Sequence, residues 1–361
     1  MSQTKERLLL FIGSYAETAD PGVYVYELDV EAEQFRRLDA ASGMKNPTFL
    51  NVQAESGKLY AISETKTEDG ERTGEIVSLG IVPAKGTLAE LNRIRTIRPS
   101  TSHIQIDHAG KFAAVSGYHG GNVGLIKLSE DGQPALLTDE RQHEGHGADP
   151  VRQDRPHPHS AQFSPDDRYM LVADLGLDLV RTYEIDRTAG KLIPRGDAMT
   201  PPGSGPRHLA FHPAGKFVYS INEVGNSITA YEYDEAGGRL TPLSTLSTLP
   251  DDFTGENTTA EIAISADGRY LYGSNRGHDS IVQFRIQEDG ELAYVEHVPT
   301  EGGHPRHFAL TPGGDYLVVA NRDSNNLVLF RVDRESGRLQ FTGRTAEVSK
   351  PVCVQPVLFR L

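Results

Sequence analysis

Hydrophobic positions along this chain gather in short runs of Val, Ile, Leu, Tyr and Phe, each closed off by Gly, Pro, Asn or Asp. FVYSI at 217–221, YLYGS at 270–274 and YLVVA at 316–320 are three of them, and SITAYEYD, SIVQFRI and NLVLFRV follow shortly after. β-Branched and aromatic residues suit a pleated, half-buried surface, so each run predicts a strand. No stretch holds a helical period between caps. Between a first and a second strand one tight turn recurs six times: AESGK at 54–58, DHAGK at 107–111, SPDDR at 164–168, HPAGK at 212–216, SADGR at 265–269 and TPGGD at 311–315. Aligned on the fourth residue, successive copies stand 53, 57, 48, 53 and 46 residues apart. A period near fifty, built from strands alone, predicts propeller blades of four strands each.

Six blades are expected to begin near Asn46, Ser102, His157, Gly205, Thr259 and His304. The apolar pieces left over are LLLFIGSYA and VYVYELD near one end of the chain and PVCVQPVLFR at the other. Joined, they make a seventh blade and remove the unpaired edges an open array would carry. The expected fold is therefore all-β: a seven-bladed β-propeller of four antiparallel strands per blade, one domain over 1–361, closed by N- and C-terminal strands in one blade. KTEDGERTG (66–74) and the polar stretch 139–156 read as surface loops.

The repeated turn also serves as a ruler. A hairpin returns on itself, so residues equally far before and after the turn share one end of the blade, and eight residues of strand rise about 25 Å. Eight before the reference stand Phe49, Ser102, His159, Arg207, Ala260 and Arg306; eight after it stand Thr65, Tyr118, Leu175, Glu223, Arg276 and Arg322. Arginines converging on a channel mouth in an acidic protein predict a pocket for a small anion. Each residue has a plainer reading. Arg207 and Arg306 can bond strand-end carbonyls, His157 and His159 can be satisfied structural histidines, and Glu223 can cap a loop. His-x-His on a strand can also offer two imidazoles to a metal, but no matching His, Asp or Glu array stands at the other inner positions, so no metal is expected. Asn222, Asn275 and Asn321 recur at one offset and read as structural; Asp174 and Asp178 read as turn residues, and His143 and His146 as solvated.

Composition narrows the classes. A net charge of −14 without a basic block argues against nucleic acid or an anionic membrane surface as partner. A lone cysteine, Cys353, excludes a disulfide framework and fits a reducing, cytoplasmic setting. LLLFIG is too short an apolar run for a secretory or spanning segment. There is no GxSxG elbow, P-loop, CxxC or dinucleotide fingerprint, so no cofactor is implied.

PHPHSAQFSPDDRYMLVADLGLD, GPRHLAFHPAGKFVYSINE, AEIAISADGRYLYGSNRGHDSI and HPRHFALTPGGDYLVVAN closely resemble the seven-bladed propeller lactonase family, over essentially the whole chain. That family includes bacterial 6-phosphogluconolactonases of the propeller type and fungal carboxymuconate-lactonizing enzymes. In the lactonizing branch a His, an Arg, a Glu and a second Arg form the functional set, which the resemblance carries onto His159, Arg207, Glu223 and Arg276. His157 and His208 share those motifs, and Arg306 fits an anion-binding role by position, so these three are expected on the substrate side. The resemblance implies hydrolysis of a sugar-acid lactone, foremost 6-phosphoglucono-1,5-lactone, with His159 as general base and an arginine on the developing oxyanion. A carboxymuconate-type cycloisomerase is the alternative within the enzyme class, and a non-catalytic binding propeller the alternative outside it. The expected partner is a small anionic lactone; nothing in the sequence names a partner protein.

Overall fold

A computed structural model describes residues 6–361 and contains seven four-stranded antiparallel sheets. In chain order the blades are 6–41 with 351–360 (blade 1), 50–95, 103–142, 158–199, 206–247, 258–299 and 305–347 (blade 7). Blade starts fall within a few residues of those the turns predict. Blade 1 closes the ring: the C-terminal strand Pro351–Arg360 pairs antiparallel with Glu6–Ser14, which is followed by two more N-terminal strands. Two loop expectations shorten. Strand Pro134–Gln142 occupies the first residues of the 139–156 stretch, and strands Lys58–Lys66 and Arg72–Val82 extend into both ends of the 66–74 stretch.

The repeated turn owes its form to one backbone position. Gly57, Gly110, Gly215, Gly268 and Gly314 all have left-handed φ, between +61° and +74°, and Asp167 takes the same conformation at +57°. Glycine adopts it without a Cβ penalty; at Asp167 the carboxylate instead accepts from the His108 and Ala109 amides at 3.0 and 2.9 Å, tying blade 4 to blade 3.

Each seam between neighbouring blades holds its own apolar cluster, Leu9, Phe11, Leu59 and Val77 between blades 1 and 2, and Leu10, Val354, Val318 and Leu327 between blades 7 and 1. A buried side chain of this size contributes roughly 1.5–3 kcal/mol, so the closing seam is built like the others. Tyrosine hydroxyls lace the seams from within. Tyr60, Tyr219 and Tyr272 donate to the carbonyls of Gly132, Gly290 and Gly337 in the next blade at 2.6, 2.9 and 2.6 Å. Asn222, Asn275 and Asn321 are fully buried structural residues: Asn222 bonds Ser227 in its own blade, while Asn275 and Asn321 donate to the Thr248 and Thr300 carbonyls just past the end of the preceding blade. Cys353 is fully buried, and burial pushes its thiol up to about 12, which fits packing rather than nucleophilic chemistry.

Candidate active site

The inner strands of blades 4, 5 and 7 open alike. Each starts with a proline, Pro158, Pro206 or Pro305, and the register with the second strand slips at the next residue. The slipped residues are His159, Arg207 and Arg306. In such a bulge two consecutive residues oppose one partner, which breaks the in–out alternation and re-aims a side chain. It lets Arg207 and its own neighbour His208 meet, Nη1 to Nε2, at 3.1 Å. The paired residues of blades 2 and 3 run from Leu50 and His103 without such a slip.

Four guanidiniums gather about Glu223. Its Oε2 lies 3.0 Å from Arg207 Nε and 2.8 Å from Arg276 Nη2, and its Oε1 accepts a hydrogen bond from Arg152 Nη2 at 2.5 Å. The Arg207 contact is an ion pair out of line for a hydrogen bond, since Nε has no directed acceptor. Burial alone would raise the Glu223 carboxyl; Arg276, Arg207, Arg152 and Arg306 outweigh it and hold the group ionised well below the usual carboxylate range. Arg207 is only 3 % exposed, and burial, aided by Arg306 and Arg276, pushes it down to about 9, still a cation at neutral pH. Carbonyls anchor both buried arginines: Ala260 accepts from Arg207 Nη1 at 2.7 Å, and Thr259 from Arg276 Nη2 at 2.5 Å.

His159 and Glu223 open onto a cavity of about 280 Å³ that also takes in Arg306, Tyr15, Tyr118 and Ser102. Nδ1 of His159 is buried with no partner among the described residues. Burial, then the charges of Arg207, His208, Arg306 and Arg276, hold the imidazole well below its ordinary value, so it is neutral at pH 7. Arg306 is half-buried, its guanidinium 5.7 Å from the Tyr15 ring centre, and no carboxylate pairs with it among the described residues. It is the arginine with charge to spare.

His159, Arg207, Glu223, Arg276 and Arg306 thus come together with His208 packed behind them, while His157 and Arg322 turn to other partners. His157 stacks on Tyr118 at 4.4 Å with both ring nitrogens engaged, Nδ1 at the Tyr118 carbonyl and Nε2 at Asp154. His208 is buried with one nitrogen at Arg207 and the other at Glu261, so it supports the site from below rather than facing substrate. Arg322, expected on the rim beside Arg276, spends its guanidinium on Asp323 at 2.6 Å. A further correction concerns His143, which is 1 % exposed and not solvated: it bridges Asp174 and the Tyr183 hydroxyl at 2.6 and 2.9 Å. His146 is exposed as expected, and Asp174 and Asp178 cap turn amides, Gly176 and Gly205 among them. The ruler missed Arg152, because the loop that carries it has no counterpart in other blades; its one signal was its place just before HPHS.

A small cavity lined by charged groups with shifted pKa values, at the rim of a closed propeller, is a candidate enzyme site. The chain matches the family "Lactonase, 7-bladed beta-propeller" over residues 9–356 and belongs to it; lactonases are carboxylic ester hydrolases. It is 37 % identical over 346 residues to a 6-phosphogluconolactonase of Bacillus subtilis, covering 96 % of this chain and 97 % of that one. A 6-phosphogluconolactonase of Formosa agariphila is 34 % identical over 92 % of this chain and 94 % of its own. Among solved structures, the periplasmic gluconolactonase of Pseudomonas aeruginosa superposes with a TM-score of 0.90 at 31 % identity, over 98 % and 99 % of the two chains. Among the described residues no helix is long and apolar enough to cross a membrane, and no group of three or more His, Cys, Asp or Glu could hold a metal ion.

Proposed function

We propose that this lactonase hydrolyses a phosphorylated sugar-acid lactone, 6-phosphoglucono-1,5-lactone to 6-phosphogluconate, as a cytoplasmic step of the pentose phosphate pathway. The observation that carries the reading is the pairing, in one small cavity, of a neutral histidine with Arg306, with which no carboxylate pairs among the described residues. Arg152, Arg207, Arg276 and Arg306 outnumber the carboxylates Glu223 and Glu261 beside them, leaving the cluster net positive and suited to a phosphate and a developing oxyanion. The names of the relatives support the same substrate class.

In this mechanism Arg306 takes the phosphate. The imidazole of His159 removes a proton from water as its oxygen attacks the lactone carbonyl. The carbonyl electrons move onto oxygen, where Arg207 meets the charge through Nη2, which has no protein acceptor among the described residues. Collapse breaks the ring C–O bond, the His159 imidazolium returns its proton to the leaving alkoxide, and the product carries a carboxyl and a free hydroxyl. Glu223 and Arg276 keep Arg207 in place. The depressed basicity of His159 is partly the field of Arg207, Arg306 and Arg276, so a bound phosphate that cancels this field makes the imidazole a better base in the complex.

The test is hydrolysis of 6-phosphogluconolactone, gluconolactone and a carboxymuconate by the wild type and by His159→Ala. A loss of roughly 10²–10⁴-fold in kcat on the phosphorylated lactone is expected; an undiminished rate removes His159 from the chemistry, and turnover of the muconate alone makes the protein a cycloisomerase. The pH profiles carry a sign. Binding raises the His159 pKa, so the acid limb of kcat lies at higher pH than that of kcat/KM, and the reverse order contradicts the field argument.

A further inference from the structure

One residue deeper on the inner strands, beneath the rim, stand His103, His208, Glu261 and His307, all buried. The Phe49 ring lies among the three histidines, its centre 4.2, 5.6 and 5.7 Å from those of His103, His208 and His307. Proton positions in this layer follow from the partners. Arg207 Nη1 can only donate, and it lies 3.1 Å from His208 Nε2, so that nitrogen carries the lone pair. The proton of the neutral ring is then on Nδ1, aimed at Glu261 Oε2 at 3.0 Å. His307 Nδ1 accepts from the Val354 amide at 3.4 Å, which puts its proton on Nε2, 3.1 Å from the same Oε2. The other carboxylate oxygen accepts from the Ile262 amide at 3.1 Å. Glu261 thus receives N–H groups on both oxygens; burial raises its carboxyl, and His307, Arg207 and the Ile262 amide oppose that shift.

We propose that Glu261 is a positioning residue for lactone cleavage. It fixes His208 as the Nδ1–H tautomer, whose Nε2 lone pair, with the Ala260 carbonyl, holds Arg207 Nη1 and leaves Nη2 to the reacting oxygen. The chain of donors Arg207 to His208 to Glu261 runs in one direction, and reversing any ring sets two donors face to face. The proposal rests on the catalytic reading of Arg207 given above.

Glu261→Gln keeps the shape and breaks the chain. With the amide oxygen toward His208, its NH₂ confronts the Ile262 amide; turned round, it drives His208 to the other tautomer, against Arg207. We expect kcat on the lactone to fall roughly tenfold or more with KM nearly unchanged, as for other residues that orient an active group. In an Arg207→Ala background the same substitution has little further effect, because the pair acts as a unit. Equal losses in both backgrounds, or full activity of Glu261→Gln beside an impaired Arg207→Ala, overturn the relay alone. Full activity of Arg207→Ala overturns the catalytic reading and the relay with it. Should Glu261→Gln not fold, imidazole ¹⁵N spectra of the histidine-labelled wild type decide, with the His208 signal identified by its loss in His208→Gln. An Nδ1–H tautomer at neutral pH is the expected result, and an Nε2–H tautomer or an imidazolium overturns the proposal.

Discussion

At one end of the inner hairpins six residues share a single backbone conformation: Gly57, Gly110, Asp167, Gly215, Gly268 and Gly314, with φ between +57° and +74°. Eight residues upstream the same hairpins carry six positions with five different side chains, Phe49, Ser102, His159, Arg207, Ala260 and Arg306. The turn end has to reverse a chain in a fixed space, so backbone sterics select its residue and all six blades that carry the turn agree. The rim end borders an open cavity, so blades 4, 5 and 7 are free to insert a bulge and aim a polar side chain at the axis. Repetition builds the scaffold, and departures from it build the chemistry. A larger groove of about 930 Å³ lies beside the 311–315 turn, at the end of the blades remote from the site, and holds none of the rim residues. Size alone does not locate the chemistry here.

The comparison is tested most severely at Glu223. Replacing it with Gln leaves Arg152, Arg207 and Arg276 gathered without their shared carboxylate. Removing one partner from a buried ion cluster costs about 3–5 kcal/mol. Denaturant unfolding of Glu223→Gln is expected to show a loss of that order, with inorganic phosphate restoring part of it by occupying the positive cluster. A variant as stable as the wild type would mean that the rim charges do not hold one another.

The turn end answers with stability and not with rate. A Cβ on Gly268 would sit 2.5 Å from His212 Nε2, at a φ of +74°. Gly314 has nearly the same φ, +73°, with nothing within 4 Å of the added atom. The left-handed conformation costs an ordinary residue roughly 1–2 kcal/mol. Gly314→Ala is therefore expected to lose about 1 kcal/mol, and Gly268→Ala more, since the imidazole must move as well. Both should keep wild-type kcat once folded; a fall in kcat would show that the two ends are coupled.

The same contrast explains what the sequence discloses. Strand runs and left-handed turns are local, so blade number, closure and the two offset sets are legible without coordinates. His159, Arg207, Glu223 and Arg276 were found because each departs from a repeat whose other copies supply the control. Glu261 and His307 stand one place further along the strand than the ruler's offset, where register slips in blades 6 and 7 let consecutive residues share the axis. Arg152 and His143 belong to a loop without a repeat partner, and their contacts, Glu223, Asp174 and Tyr183, are 71, 31 and 40 residues away. Polar composition suggests solvent for that loop, and His146 does face it; long-range pairing draws only residues such as His143 and Arg152 inward.

Arg306 gives the finest test of how rim differences set specificity. Its bulge is that of Arg207, yet it meets an aromatic ring where Arg207 meets a carboxylate. Arg207 therefore spends Nε and Nη1 on the protein and keeps Nη2 alone for the reacting oxygen, whereas Arg306 keeps its charge for the phosphate. Arg306→Ala is expected to raise KM for 6-phosphogluconolactone about tenfold, a single exposed charge-assisted contact of about 1.4 kcal/mol, with kcat nearly unchanged. Gluconolactone, which lacks the phosphate, should show less than about a twofold change. The ratio of the two KM effects is the decisive quantity, because loss of general packing around Tyr15 raises both together. Equal effects on the two lactones would move the phosphate away from Arg306, leaving Arg152, which enters from the loop and is half-exposed, as the arginine able to reach it.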